Sequence, residues 1–352
     1  QDFYGVWLAK PCSIVKLVML FTFLCKYFLG CGYLPFSTTA FNVLIMLAYA
    51  IPGFILIKTK SVKQEAISAF AMFLLFVCQP CLSVYSFNTA DCTPELGISL
   101  LIFFFASLIL QVLMLFVVYL IFKRKYKENP EYRICTVASV LGNTGFFGVP
   151  LLQALLPEYP NAIVFSAVFI VGMNLISWTL SSALLTGDKK YMSLKKILLN
   201  PVMLTLIISL PLFLTRTKLP GTGADNEALP GTLSYIIALL GKMTTPISML
   251  ILGMRLGLTK VRDLFMDLKV YIVAFFKLIA FPLVGMAAAY TLPLEPYIKA
   301  TLIILFCCPT ASTVLNFSEL FGTGQKTAAK LVLTSTLFCV ITIPVLLTFI
   351  KV

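Results

Sequence analysis

The chain of 352 residues is 60% hydrophobic and 12% charged, with a mean hydropathy of +0.98. So few polar side chains cannot cover a water-soluble surface, which excludes a soluble globular protein and predicts an integral membrane protein. The 27 Lys and Arg residues outnumber 14 Asp and Glu, but they cluster in short runs between apolar stretches. This distribution is typical of membrane topology. The distribution of basic residues therefore predicts that the protein interacts with the lipid bilayer and that nucleic acid is not a partner.

Residues 1–36 come first and are predicted to form an accessory N-terminal segment. The stretch 13–29 is apolar but short, and it carries Lys16 and Lys26. Three interpretations stay open: an extra membrane span, an interfacial helix and a signal-like segment.

Ten later segments are each long enough to cross a hydrocarbon core of about 30 Å, which takes about 20 helical residues. Cutting the sequence at charged and turn residues places them at 38–57, 66–87, 97–122, 135–156, 161–186, 197–215, 232–254, 268–292, 297–319 and 327–350. We number these segments span one to span ten. The sequence therefore predicts an all-α integral membrane protein with ten transmembrane helices.

The connections between the spans alternate in charge. Those after spans one, three, five, seven and nine contain eighteen Lys and Arg residues, whereas the others contain Arg216, Lys218 and Lys299. Because cytoplasmic loops carry the excess of basic residues, the odd-numbered connections are predicted to be cytoplasmic. The start of span one and the C-terminus are then extracytoplasmic, in a multi-pass protein of the cytoplasmic membrane.

An internal repeat divides the ten spans into two halves. Residues 42–60, NVLIMLAYAIPGFILIKTK, resemble residues 200–218, NPVMLTLIISLPLFLTRTK. Prolines also match between spans two and seven (Pro80 and Pro246) and between spans four and nine (Pro150 and Pro309). Since each half has five spans, an odd number, the halves would cross the membrane in opposite senses. We predict inverted five-helix repeats at 37–190 and 191–352.

Spans four and nine are each interrupted by small polar residues and a proline. Residues 141–155 read LGNTGFFGVPLLQAL, and residues 304–317 read ILFCCPTASTVLNF. A helix at membrane depth can be interrupted only where protein or a water-filled cavity covers the free backbone groups. Two interrupted spans in matching halves indicate a substrate site at the bilayer midplane. The pairing favours a transporter.

Each predicted break supplies groups that suit an anion. A half-helix N-terminus has unpaired N–H groups and the positive end of the helix dipole, both of which favour a carboxylate. The candidate substrate-binding residues at the breaks are Asn143, Thr144, Gly145, Gly148, Pro150, Pro309, Thr310, Ser312, Thr313 and Asn316. In the alternative interpretation the prolines merely kink their helices and the hydroxyls bond to their own backbone.

Three further polar residues within apolar spans complete the candidate set. Gln79 and Asn174 could line the cavity or form hydrogen bonds between helices. Lys277 and Lys242 are the basic residues deepest in the predicted spans, where a charge costs about 3 kcal/mol on insertion scales and commonly marks function. Lys277 is a candidate for substrate binding or for tying helices together, whereas Lys242 could equally reach the membrane surface.

Residue types that are missing bear on energetics and catalysis. The chain has no His, and Glu319 is the one acidic residue predicted near a membrane segment. Proton relays and sodium sites commonly use Asp, Glu or His within the membrane. We therefore hypothesise that the membrane potential drives efflux directly. The alternative of a sodium site formed by carbonyls and hydroxyls is left open by the sequence. We predict no cofactor, no metal site and no enzyme, because the spans contain neither HExxH nor a catalytic pair.

Several of these motifs resemble the auxin efflux carrier family. At residues 143–152, NTGFFGVPLL is similar to its fourth helix, and MNLISWTL (173–180) to its fifth. ILGMRLG (251–257) and KLIAFP (277–282) resemble its seventh and eighth helices, and PTASTVLNFSELFG (309–322) with LTSTLFCVITIPV (333–345) its ninth and tenth. The order and spacing of the motifs extend the resemblance over most of residues 37–351.

The resemblance implies ten helices in two inverted halves, as in bile-acid sodium symporters, with helices four and nine broken and crossing at Pro150 and Pro309. It implies alternating access by an elevator-like movement of a transport domain. The implied substrates are organic anions such as auxin, malate or malonate, and a homodimer is an assembly common among such carriers. Alternative functions are a sodium- or proton-coupled organic acid symporter of the same fold, and a channel or membrane ligand sensor.

Overall fold

The computed structural model describes residues 36–90, 93–188, 190, 201–223, 228–258, 264–322 and 324–350. Regular structure in these ranges is helical, apart from two isolated β-bridges. The predicted accessory segment, except for Phe36, and the start of span six lie outside the described residues.

Seven helices within the described ranges are long and apolar enough to cross a membrane. They are Thr39–Lys58, Ala66–Thr89, Pro94–Tyr126, Asn161–Thr186, Leu233–Leu258, Leu268–Thr291 and Gln325–Leu347, which correspond to spans one, two, three, five, seven, eight and ten. Large apolar side chains on span three, such as Ile98, Leu101 and Phe105, are exposed on the outside of the protein. Because water would not tolerate such a surface, the fold confirms a multi-pass membrane protein.

Spans four, six and nine are shorter. Their apolar helices are Thr144–Leu155, Met203–Leu214 and Pro296–Cys307. Spans four and nine each contain a second helix, Glu131–Ala138 before the first of these and Ser312–Leu320 after the last. The two spans predicted to be interrupted are therefore built from two helical pieces each.

Within the described ranges, four π-helical turns occur among the α-helices, and prolines account for three of them. These turns are Leu74–Cys78, Thr144–Gly148, Ser177–Ser181 and Phe276–Ala280. Pro80, Pro150 and Pro282 each follow a turn by two residues. A proline cannot donate to the preceding turn and collides with it, so the helix widens locally. The turn Ser177–Ser181 has no such proline. There the hydroxyls of Ser177 and Thr179 donate to the carbonyls four residues earlier.

The centre of the molecule is occupied by spans four and nine. Every residue from 134 to 144 and from 300 to 311 is buried. Phe306 packs edge-to-face against Phe169 of span five and Phe281 of span eight, with ring centroids 5.3 and 4.8 Å away. Neighbouring spans thus enclose both interruptions and shield their backbone from lipid.

Candidate functional site

The helical pieces of spans four and nine are separated by short non-helical segments. In span four the first helix ends at Ala138 and the next helical turn begins at Thr144. In span nine the first helix ends at Cys307 and the second begins at Ser312. The residues between them, 139–143 and 308–311, are the breaks of the two spans.

The two breaks pair with each other as a short antiparallel ribbon. Gly142 and Thr310 form an antiparallel β-bridge. The Asn143 N–H donates to the Pro309 carbonyl at 2.7 Å, and the Ala311 N–H donates to the Leu141 carbonyl at 2.9 Å. Backbone groups released by one interruption are thereby satisfied by the other, which meets the rule for non-helical backbone at membrane depth.

Side chains fix the ribbon from both sides. The Thr310 hydroxyl donates to the carbonyl of Ala138 at 3.0 Å. The Thr310 N–H in turn donates to the Ser335 hydroxyl of span ten, also at 3.0 Å. Thr310 is fully buried and directed into these contacts. Its role in the structure is to hold the breaks together.

The expected crossing at Pro150 needs correction. The ribbon forms at Gly142 and Asn143, seven or more residues before Pro150, which lies in the first turn of the helix Val149–Leu155. That helix continues without a gap from the π-helical turn Thr144–Gly148, whose wider backbone makes room for the proline ring. Pro309 does lie in the ribbon, where its carbonyl accepts from Asn143.

A central cavity of about 70 Å³ lies against the ribbon. Its lining includes seven of the predicted site residues: Gln79, Asn143, Thr144, Gly145, Asn174, Ser312 and Thr313. Gly142 completes the polar wall, and Leu75, Phe146, Ile170 and Met173 supply apolar contacts. Residues from spans two, four, five and nine thus meet at one point.

Both second half-helices begin at the central cavity. The N–H groups of Thr144, Gly145 and Phe146 lie in the first turn after the break of span four, where no intrahelical acceptor is available. Ser312 and Thr313 hold the same position in span nine. Two positive helix ends converge on one cavity, an arrangement that favours an anion.

Three amide side chains line the same cavity without a hydrogen bond to the described protein. Gln79 and Asn143 are each 9% exposed, and Asn174 is 6% exposed. No described residue donates to or accepts from their side-chain amides. The hydroxyl oxygen of Thr313 is also buried without a partner in this part of the structure. Because buried polar groups are normally paired, this set is directed at a ligand or water.

Glycine at position 145 lets the Gln79 side chain approach the backbone of the break. A Cβ at this position would lie 2.5 Å from the Gln79 amide nitrogen, which is too close for an unstrained contact. Gly148 faces away from the cavity, towards the Cys308 sulfur, which would lie 2.8 Å from a Cβ there. The first glycine shapes the cavity, whereas the second allows span four to pack on span nine.

Lys277 and Asn316 lie near the central cavity but outside it. Lys277 is 1% exposed, and its ammonium group donates to the Phe306 carbonyl at 3.3 Å. Asn316 is exposed and lines a different, wider cavity. Lys242, the other deep basic residue predicted from the sequence, is exposed on the outside of span seven.

The wider cavity adjoins the central one at Leu75 and has a volume of about 620 Å³. It opens beside Gln64 and Lys326, in the connections predicted to be cytoplasmic. Among the described side chains, its charged lining residues are Arg255 and Lys326, and none of those that line it is a carboxylate. On the opposite side of the central cavity, beyond Gln79, lies a pocket of about 20 Å³.

Sequence reasoning missed Gly142, Ser335 and Arg255. Gly142 stands one residue before the Asn-Thr pair, and Arg255 lies within the ILGMRLG motif, so a signal for both is present in the sequence. Ser335 is one hydroxyl among many in span ten, and its contact with Thr310 has no sequence signal. No group of three or more His, Cys, Asp or Glu side chains able to hold a metal occurs among the described residues.

Comparison with known families identifies the chain's relatives. A family model described as "Membrane transport protein" matches residues 38–191 and 189–347. This match agrees with the auxin efflux carrier resemblance that was inferred from the motifs. No curated protein matches the chain significantly.

Proposed function

Since the chain belongs to the membrane transport protein family, which includes the auxin efflux carriers, we propose that it is a secondary transporter of a small organic anion. The observation that carries this proposal is the convergence of two half-helix N-termini and three unpaired amides on one central cavity. These groups donate hydrogen bonds but carry no full charge. They therefore suit a carboxylate that must be bound and then released.

The charges around the access route support an anionic substrate. Arg255 and Lys326 line the wide cavity, and no Asp or Glu side chain that the structure describes lines any of the three adjoining cavities. A cleft lined by one sign of charge raises the local concentration of ions of the opposite sign. The candidates are an auxin-like acid or a dicarboxylate such as malate or malonate, whose carboxylate would occupy the central cavity.

The fold proposed for this activity is a pair of inverted five-helix repeats at 37–190 and 191–352. The two stretches that match the family model meet at this boundary. The paired breaks also occupy corresponding positions in the two halves, spans four and nine. Opposite insertion of the halves would place one break on each side of a pseudo-two-fold axis through the Gly142–Thr310 bridge.

The unequal cavities on the two sides of the ribbon support alternating access as the mechanism. The side that opens at Gln64 and Lys326 holds about 620 Å³, and the opposite side about 20 Å³. With the odd-numbered connections in the cytoplasm, this arrangement is an inward-open state. Transport then requires a second state in which the outer pocket widens and the inner cavity closes.

The proposed direction is efflux, and the membrane potential supplies the driving force. Expelling a monoanion from a negative interior gains about 2.3 kcal/mol per 100 mV. The test is flux from vesicles that contain purified protein, first for malonate, malate and indole-3-acetate, with a potential, a sodium gradient and a pH gradient imposed separately. Flux that responds to the potential alone supports the proposal.

Two results would change the proposed function. Flux driven by a sodium or pH gradient, and indifferent to the potential, identifies a coupled symporter of the same fold. Binding of these acids without flux identifies a ligand sensor.

A further inference from the structure

The ammonium group of Lys277 lies behind the ribbon that joins the two breaks. Lys277 belongs to the π-helical turn of span eight and is 1% exposed. A Cβ placed on Gly142 would lie 3.1 Å from the Lys277 nitrogen. Gly142 itself lines the central cavity. One residue of backbone therefore separates the ammonium group from the proposed substrate site.

The groups around this ammonium are neutral or carry partial negative charge. It donates to the carbonyl of Phe306 at 3.3 Å and lies 4.7 Å from the centre of the Phe281 ring. Phe306 is the second-to-last residue of the helix Pro296–Cys307, so its carbonyl belongs to the negative end of that helix. No carboxylate among the described residues forms an ion pair with Lys277.

Carbonyls at the C-terminal ends of broken helices are groups that coordinate mobile cations in transporters. Here a positive group already contacts one of them, and it is covalently part of the chain. The aromatic face of Phe281 adds a further interaction that favours a cation. The position thus offers a cation one helix-end carbonyl and one aromatic face, and the ammonium group of Lys277 occupies it.

We propose that Lys277 is a tethered cation that fills this site permanently and thereby replaces a coupling ion. It is a positioning residue, because it stabilises the end of the first half-helix of span nine through the Phe306 carbonyl without entering the cavity. As a consequence, which rests on the proposed function, a bound monoanion is offset by the nearby ammonium and needs no sodium to bind.

The test uses the melting temperature of the purified full-length protein, which needs no transported substrate. The variants are Lys277→Ala, which leaves space, Lys277→Met, which fills the space without charge, and Lys277→Arg, which keeps the charge. Lys242→Met is the matched control, because Lys242 is an exposed lysine of span seven. Each protein is melted in sodium, choline and ethylammonium chloride at the same ionic strength.

We expect the wild-type protein and Lys242→Met to melt at the same temperature in all three salts. Lys277→Ala should melt several degrees lower in choline and recover in ethylammonium or sodium, which are small enough to enter the vacated site. Lys277→Met should melt lower in every salt, and Lys277→Arg should melt closer to wild type. If Lys277→Ala does not fold, the inference is tested by the other two variants: Lys277→Arg should have a higher melting temperature than Lys277→Met.

The inference is overturned if Lys277→Met melts like wild type, if no small cation raises the melting temperature of Lys277→Ala, or if sodium stabilises the wild-type protein. These outcomes are separable from failure of the proposed function. A protein that moves no organic acid can still show the salt response, and an active carrier can lack it.

Discussion

Gly53 and Gly253 make reciprocal contacts, each with the backbone of the helix that contains the other. A Cβ on Gly53 would lie 2.1 Å from the carbonyl oxygen of Leu250, and one on Gly253 would lie 1.8 Å from that of Ala50. Each glycine therefore meets the residue three positions before the other. Spans one and seven cross with their backbones in contact, which small residues permit in membrane helices.

Replacing either glycine by alanine should destabilise the protein. Since the clashing atoms are backbone carbonyls, the two spans must separate by more than 1 Å to accommodate the methyl group. Overpacking of a tight core costs about 1–3 kcal/mol. We expect Gly53→Ala and Gly253→Ala to lower the melting temperature in detergent by several degrees.

The matched control for these two variants is Gly97→Ala in span three. A Cβ on Gly97 would meet nothing within 4 Å, and alanine favours a helix over glycine by about 1 kcal/mol. Gly97→Ala should therefore melt at the wild-type temperature or above it. An equal loss in all three variants would contradict the close packing of spans one and seven.

Asn143→Ala should weaken binding of an organic acid. The Asn143 side chain lines the central cavity and has no partner among the described residues. A hydrogen bond to a charged group contributes about 1.5–3 kcal/mol, so affinity should fall about ten-fold to a hundred-fold. The measurement is a binding titration with whichever of malonate, malate and indole-3-acetate raises the melting temperature.

Asn316→Ala serves as the control for Asn143→Ala, because Asn316 is exposed and lines the wide cavity instead. The affinity of Asn316→Ala for the acid should change much less than that of Asn143→Ala. If the two variants bind equally well, the acid does not contact the amide at the break of span four, and the site lies elsewhere.

Ser335→Ala should destabilise the ribbon without altering the cavity lining. The Ser335 hydroxyl is the acceptor for the buried Thr310 N–H at 3.0 Å, and a buried donor that loses its acceptor costs about 1–3 kcal/mol. We expect a melting temperature several degrees lower. The control is Ser318→Ala, since the buried Ser318 hydroxyl donates to the Leu315 carbonyl within its own helix and accepts no bond from the described residues. Equal melting temperatures would show that Ser335 does not support the break.

The sequence predicted where the chain is interrupted better than it predicted which atoms make the contact. Small polar residues and a proline within an apolar run have a physical meaning, so the breaks of spans four and nine were accessible from Asn143 and Pro309. Pro150 was misplaced, because a proline after a π-helical turn and a proline in a break look alike in sequence. The Thr310–Ser335 bond depends on the packing of span ten, which periodicity alone does not specify.

Stability should fall at low pH through an ion pair that lies just before span four. Glu131, which precedes that span, pairs with Lys269 at the start of span eight. The hydrogen bond from Lys269 lowers the pKa of Glu131 below its usual value. A carboxyl group with a depressed pKa stabilises the folded state above its ordinary pKa, and this contribution is lost as the pH falls through the folded-state value.

The melting temperature of the wild-type protein should therefore decline as acid protonates Glu131, and Glu131→Gln should show a smaller decline. Glu128→Gln is the control, because Glu128 is exposed in the same connection and forms no ion pair with the described residues. Its pH profile should follow wild type. Identical profiles for all three proteins would exclude the Glu131–Lys269 pair as the source of the pH dependence.

Cysteine labelling should detect the unequal cavities directly. Ser68 and Ser83 both belong to span two, but Ser68 lines the wide cavity whereas Ser83 lines the 20 Å³ pocket beyond Gln79. Fifteen residues separate them, about 22 Å along a helix. We expect a membrane-impermeant maleimide to label Ser68→Cys from the cytoplasmic side of oriented vesicles and to leave Ser83→Cys unlabelled from either side.

Labelling is measured as the increase over the unsubstituted protein, because the chain contains ten native cysteines. An acid that stabilises an outward-open state should lower the labelling rate of Ser68→Cys and raise that of Ser83→Cys from outside, since alternating access cannot open both cavities at once. If both positions are labelled at full rate simultaneously, each from its own side, the pathway is continuous. The protein would then conduct as a channel, and the ribbon at Gly142 and Thr310 would be a constriction between two permanently open cavities.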